Sequence, residues 1–188
     1  MSYKDNSYTS GVNNTSYMLY DIAALQYLYG VKANGTTATA GSFDFTNASA
    51  GKTYLQTIWS NTGTDQINLS GMSNSSTVNL NAGTYSSINI RSNTSNQNNV
   101  AIAYGSKINS VTLSVNPTAA DKVVLNNAYA SGSFDNIYNL ASNDKISIKT
   151  SIFGNLSSAN LAVGAGLTTA ANSTSKLIVN STTGDVYY

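Results

Sequence analysis

From Val31 onward the sequence abandons helical spacing and alternates apolar with polar residues in runs too short for anything but β-strands. Tyr54-Leu55-Gln56-Thr57-Ile58-Trp59, Gln66-Ile67-Asn68-Leu69 and Thr77-Val78-Asn79-Leu80 lead the series. Further strands are expected at 87–90, 99–104, 107–115, 122–125, 136–140, 145–149, 176–180 and 185–188. Clusters of Asn, Ser and Gly separate them, because short amide and hydroxyl side chains bond nearby backbone and Gly accepts the tightest turns. The polar tracts 92–99 and 168–175 read as surface loops. An apolar-Asn-apolar unit recurs in Ile67-Asn68-Leu69, Val78-Asn79-Leu80 and Ile88-Asn89-Ile90, which suggests stacked, similarly built rungs. The spacing is irregular, however, so a sandwich or a mixed sandwich and roll explains the pattern as well as a solenoid does.

One helix precedes this region. Residues 1–16 are polar and read as an irregular arm, and 17–30 carry helical spacing, with Leu19, Ile22, Ala23, Leu25, Leu28 and Tyr29 on one broad face. Thr15 or Ser16 can cap its start, Asp21 suits the positive end of the helix dipole, and Gly30 supplies the stop. The expected fold class is thus mostly β: one N-terminal helix packed on a β-sandwich or degenerate parallel β-roll, in a single folded unit.

The residue inventory excludes most chemistries. The chain has no Cys and no His, and all eight of its acids are Asp, so it has no Glu. Within these residues there is no His-Glu-x-x-His zinc site, Ser-His-Asp triad, Cys-His pair or Glu general base. The aspartates Asp5, Asp21, Asp44, Asp65, Asp121, Asp135, Asp144 and Asp185 are scattered singly, and none has the Asp-Thr/Ser-Gly context of paired-carboxylate hydrolases. The net charge is +1 with only 9% charged residues, so no basic stripe is available for nucleic acid. The apolar stretch near Met18–Tyr29 is broken by Asp21 and Gln26, which argues against membrane insertion.

Four ordered matches resemble one family. Tyr17-Met18-Leu19-Tyr20-Asp21-Ile22-Ala23-Ala24-Leu25-Gln26-Tyr27-Leu28-Tyr29-Gly30 resembles the helix that leaves the catalytic domain of serralysins, secreted zinc proteases of Gram-negative bacteria. Ile58-Trp59-Ser60-Asn61-Thr62-Gly63-Thr64-Asp65, followed by Ser70-Gly71, resembles that family's Ile-Trp-Asp-x-Gly-Gly-x-Asp segment and its Ser-Gly turn. Val78-Asn79-Leu80-Asn81-Ala82-Gly83 and Val100-Ala101-Ile102-Ala103-Tyr104-Gly105 fall in family order, so the resemblance covers about the first 110 residues. Met1-Ser2-Tyr3 is similar to the Met-turn, which makes Tyr3 a relic zinc ligand by resemblance; one phenol cannot hold zinc, and zinc is not expected in this chain. The family pattern divides the chain into a Met-turn remnant arm (1–16), a linking helix (17–30) and a C-terminal-type β domain with degenerate repeats (31–188).

Calcium is the cofactor the resemblance implies, because the family's β-roll turns bind it through Asp carboxylates and backbone carbonyls. Gly63, Asp65, Asp121 and Asp144 are the candidate ligands, with Asp65 read alternatively as a turn residue that bonds nearby backbone amides. No Gly-Gly-x-Gly-x-Asp repeat survives, and each candidate site retains a single carboxylate, a poor match to a cation that takes six to eight oxygens. Asp185-Val186-Tyr187-Tyr188 resembles the acid-plus-three-apolar ending of a type I secretion signal. Alternatively, Asn180 to Tyr188 resembles a hairpin that follows calcium repeats in other exported proteins, or is simply a terminal edge strand. The implied partners are an upstream catalytic domain or neighbouring chain and the type I secretion machinery, and the implied location is outside the cell. A surface-layer or adhesin-like β module is the competing reading, since thirteen tyrosines and a neutral hydroxyl-rich surface suit glycans or neighbouring copies.

Overall fold

The computed structural model describes residues 16–30, 41–45, 55–60, 65–90, 97–126, 135–169, 174 and 177–187. Helix α1 spans Leu19–Tyr29 and ends at Gly30, whose φ of 79° is a left-handed stop that favours glycine. It starts later than the expected Thr15 or Ser16 cap. Met18 is the N-cap, and its N–H donates to the Asp21 carboxylate at 3.2 Å. The Ser16 hydroxyl is used elsewhere, accepting the Thr57 N–H at 2.9 Å. The helix is anchored at its other end by Gln26, whose Nε2 donates to the Tyr104 carbonyl at 2.9 Å. Its expected apolar face is only partly used: Leu19 and Ile22 are buried, whereas Leu25, Leu28 and Tyr29 are exposed.

The chain divides into two compact units, Met1–Leu125 with Tyr129–Ser147, and Asn126–Ala128 with Ile148–Tyr188. The first contains β1 (Ser42–Asp44), β2 (Gln56–Ile58), β3 (Asp65–Asn68), β4 (Thr77–Asn79), β5 (Tyr85–Ser86), β6 (Val100–Ile102), β7 (Ile108–Thr112), β8 (Lys122–Leu125), β9 (Asn136–Tyr138) and β10 (Lys145–Ile148). These form three sheets, ordered β1-β3-β7-β9, β2-β6-β5 and β4-β8-β10. The pairs β1/β3, β3/β7, β7/β9, β2/β6 and β4/β8 are all parallel. Along the chain one circuit visits β2, β3 and β4, the next β6, β7 and β8, and the last β9 and β10. Stacked parallel rungs are therefore the form the β region takes, in place of the hairpin-linked strands of a sandwich.

The rungs keep register. Gln66 lies between Ser42 and Ser110, and Ser110 pairs with Asn136, so successive circuits advance by 24, 44 and 26 residues. The long step contains an excursion after β4, in which β5 pairs antiparallel with β6 and Ser87 bridges Thr77. Side chains at equivalent positions stack inward as Phe43-Ile67-Val111-Ile137, Ile58-Ile102 and Val78-Val123. Together with Phe45, Leu69, Met72, Leu80, Ile88, Val100, Ile108 and Leu113 they form one core. Alternation leaves the intervening polar residues of β3 and β4 half-buried, whereas β6 is buried at every position.

Expected strand 87–90 does not form. The Asn99 side chain takes its place, accepting the Ile88 N–H at 2.8 Å and donating to the Ile88 carbonyl at 3.0 Å, while Asn89 turns the chain at φ 56°. Asn elsewhere closes corners: Asn68 accepts the Ser70 N–H at 3.0 Å and Asn79 the Asn81 N–H at 3.1 Å. The apolar-Asn-apolar unit is thus a strand end followed by an Asx turn in these two cases.

In the second unit, β11 (Leu161–Gly164) pairs in parallel with β12 (Leu177–Asn180), which pairs antiparallel with β13 (Val186–Tyr187). A short helix α2 (Thr150–Phe153) and a 3-10 turn (Ser158–Asn160) precede them, and Phe153 and Ile178 are the buried apolar residues among those described in this unit. Strands β1, β5 and β11 and both short helical turns were outside the expected set.

Gly83 offers a clean local test. Its φ is 76°, and a Cβ there would lie 2.3 Å from Cε1 of Tyr104. Gly30 has a similar φ, 79°, with open space around it. Gly30→Ala should cost about 1–3 kcal/mol through backbone strain alone, since its ψ of 164° lies in a region kept for glycine, whereas Gly83→Ala carries a further cost of about 1–3 kcal/mol because the ring must also move. Urea unfolding of both variants checks this; equal costs would show that the ring yields freely.

Candidate functional site

The aspartates singled out by sequence occupy one recurring place in the fold. Asp65 opens β3, Asp121 immediately precedes β8 and Asp144 immediately precedes β10. Each stands at a corner where the chain enters a strand, one rung beyond an equivalent residue: Gly41 for Asp65, Ser76 for Asp121, and Asp121 itself for Asp144. The backbone makes this equivalence explicit. Gln66 N–H donates to the Gly41 carbonyl at 3.0 Å, Lys122 N–H to Ser76 at 2.8 Å, and Lys145 N–H to Asp121 at 2.9 Å.

The carboxylates complete the same corners. Asp65 accepts the Gly41 N–H on Oδ1 and the Ser60 hydroxyl on Oδ2. Asp121 accepts the Ser76 N–H on Oδ1 at 2.6 Å and the Ser114 N–H on Oδ2 at 2.9 Å. Asp144 accepts the Asp121 N–H on Oδ1 and the Ala141 N–H on Oδ2, both at 2.8 Å. In every case one oxygen takes the amide of the equivalent residue in the preceding rung, and the other takes a donor from its own rung. Asp65 and Asp121 are 0% and 1% exposed, and Asp144 is half-buried.

Around the Asp121 corner, hydroxyls and amides continue the stitching between rungs. Ser114 Oγ donates to the Met72 carbonyl at 2.6 Å, Asn116 Nδ2 to Ser73 at 2.8 Å, and Ala120 N–H to Ser75 Oγ at 2.8 Å. One rung further, Asn143 Nδ2 donates to the Pro117 and Ala119 carbonyls at 3.1 and 2.6 Å. Burial pushes the Asp121 carboxyl above the usual carboxylate range, the Ser114 and Ser76 amides pull it back, and the nearby Asp144 charge adds to the rise.

This donor set does not match a calcium shell. A cation needs six to eight converging oxygens, whereas the groups aimed at these carboxylates are N–H and O–H donors, whose positive ends face where a cation would sit. Each corner has one acid of its own, and no cluster of three or more His, Cys, Asp or Glu side chains occurs among the described residues. Gly63 and Tyr3 lie outside the described residues. Sequence reasoning found the acids but missed their partners Gly41, Ser60, Ser76 and Ser114. The available signal was the pattern Asp-polar-Ile/Val that heads β3, β8, β9 and β10, at Asp65, Asp121, Asp135 and Asp144.

The terminal candidates are held in the second unit. Val186 and Tyr187 pair with Val179 and Ile178, and the Asp185 carboxylate accepts the Thr183 hydroxyl at 2.6 Å and the Tyr187 hydroxyl at 3.3 Å. They form the edge strand of a hairpin, and Val186 is exposed. Tyr188 lies outside the described residues.

Comparison with known proteins adds a lineage. Serralysin C of Dickeya chrysanthemi is 36% identical over 119 residues, which is 56% of this chain and 23% of that protein. Serralysin B of the same organism is 36% identical over 98 residues, 47% of this chain and 19% of its own length. This chain contains a serralysin-related region. It spans about a fifth of the length of the serralysins it matches, and no family model matches it. No helix among the described residues is long and apolar enough to cross a membrane.

Proposed function

We propose that this chain is a noncatalytic, C-terminal-type module of a serralysin-like protein exported by the type I route, serving export and structural stabilisation outside the cell. The observation that carries this reading is a serralysin-related stretch built into stacked rungs by a sequence without His, Glu or Cys. Zinc-dependent peptide hydrolysis needs ligands and a base that these residues do not supply. Helix α1 supports a partner role, because it leaves Tyr20, Leu25, Tyr27, Leu28 and Tyr29 exposed, Tyr27 to 90%. In this reading that face meets a catalytic domain of serralysin type, either on the same chain or on a neighbour. Calcium, which the family resemblance implies, is given no structural task at Asp65, Asp121 or Asp144.

Export is tested by deleting Asp185 to Tyr188 and following the chain in culture supernatant from cells carrying a type I exporter. Loss from the supernatant with an unchanged whole-cell level is the expected result. Undiminished secretion would remove the terminus as the signal and favour the hairpin reading. A surface-layer or adhesin-like role draws support from the exposed aromatics Trp59, Tyr104 and Tyr138 on the rungs, and retention of the chain on glycan-coated beads would favour it.

A further inference from the structure

We propose that Asp65, Asp121 and Asp144 are metal-free staples that join successive rungs, so that the β region folds to a stable state without a cation. In a parallel ladder each residue's N–H and C=O bond to the neighbouring strand, but the ladder ends where the chain turns a corner. At these corners the carbonyl of the earlier residue still finds a partner, the first strand N–H of the next rung, while its own N–H does not. A buried amide left so would be costly. The carboxylate one rung on takes that N–H, and its second oxygen satisfies another donor in its own rung.

The repetition is what makes this a device rather than a coincidence of packing. Three acids, at corresponding corners of two different sheets, accept the equivalent residue's N–H in each case. Asp121 plays both parts, receiving from Ser76 and Ser114 through its side chain while its own N–H donates to Asp144. The column is therefore continuous from Ser76 to Asp144. Reach favours Asp at these three corners: a Glu there would place its oxygens one methylene too far along. A cation entering the corner would meet the positive ends of these N–H groups, which opposes binding where the carboxylates are most buried.

The test is made on the whole chain. Thermal unfolding should be cooperative in chelator, and excess calcium should move Tm by no more than about 1 °C, since a ligand stabilises only by binding the folded state. Hydrogen exchange in chelator should show slow amides at Gly41, Ser76, Ser114, Asp121 and Ala141. Asp144→Asn, at the most accessible corner, should speed exchange at Asp121 and Ala141 at least tenfold, and Asp144→Glu should not restore it. A marked calcium-dependent rise in Tm, or protection of these amides only when calcium is present, would overturn the proposal. If Asp144→Asn fails to fold, the calcium and chelator comparison on the unaltered chain still decides. The outcome is independent of the terminal deletion, because one reads folding and the other export.

Discussion

Asp121→Ala should lower the stability of the β region by about 3 kcal/mol, since it leaves the Ser76 and Ser114 amides buried without an acceptor, at about 1–3 kcal/mol each. Loss of the buried charge offsets part of this. Burial has already raised the Asp121 carboxyl above its ordinary range, so the ionised form carries a desolvation penalty that alanine does not. The amides dominate because two donors are stranded while a single, partly compensated charge is removed. Asp121→Asn should do little better: its amide keeps one acceptor and turns an NH2 group toward the second N–H.

The pH dependence separates the two contributions. A carboxyl whose pKa is raised on folding takes up a proton in the folded chain before it does so in the unfolded one. Its contribution is therefore most stabilising below the unfolded pKa and is lost as pH rises through the folded value. The Tm gap between the parent chain and Asp121→Ala should accordingly widen between pH 7 and pH 4, because only the parent gains from that proton. A gap that closes on acidification would mean that the anion is favoured by folding, reversing the balance between burial and the two amides.

The second large effect belongs to the core. Ile67 is fully buried in β3, stacked between Phe43 and Val111 in neighbouring rungs. Ile67→Ala should cost about 3–4 kcal/mol, the range for a large-to-small change whose neighbours cannot collapse into the void. Strands on both sides fix the backbone here, so relaxation is restricted. Urea denaturation with an unchanged m-value checks the figure. A loss near 1 kcal/mol would show that the rungs slide to fill the gap. The control is Ile137→Ala, on the last strand of the same stack and only partly buried, which should cost less.

Much of the strand set was legible because period two is a local property: β2, β4, β6, β7, β8, β9, β10, β12 and β13 fall within their expected segments, and β3 starts one residue before its own. Parallel pairing was legible only as one of two alternatives, the roll beside the sandwich. A fixed repeat length would have decided between them, and the excursion after β4 stretches one circuit to 44 residues, which hides the repeat. Ile88 looked like a strand residue because its neighbours alternate, yet an Asn99 side chain supplies what a strand would have supplied. The helix was readable from its spacing, but which side faces the β region was not, since Leu25 and Leu28 are as apolar as Leu19 and are exposed. At the corners, carboxylates announce themselves in sequence, whereas the backbone amides that answer them carry no residue signature.

The circuit lengths also set the tempo of folding. Contacts in the four-stranded sheet join residues 24 to 44 positions apart, so closing each rung costs chain entropy before any ladder bond repays it. The first stacked pair, β1 with β3, closes over 24 residues, whereas the next, β3 with β7, must wait for 44. A chain of this kind remains extended for longer than a hairpin-built domain of equal size. Slow closure is a liability in a crowded compartment, because apolar strands stay uncovered until their distant partners arrive.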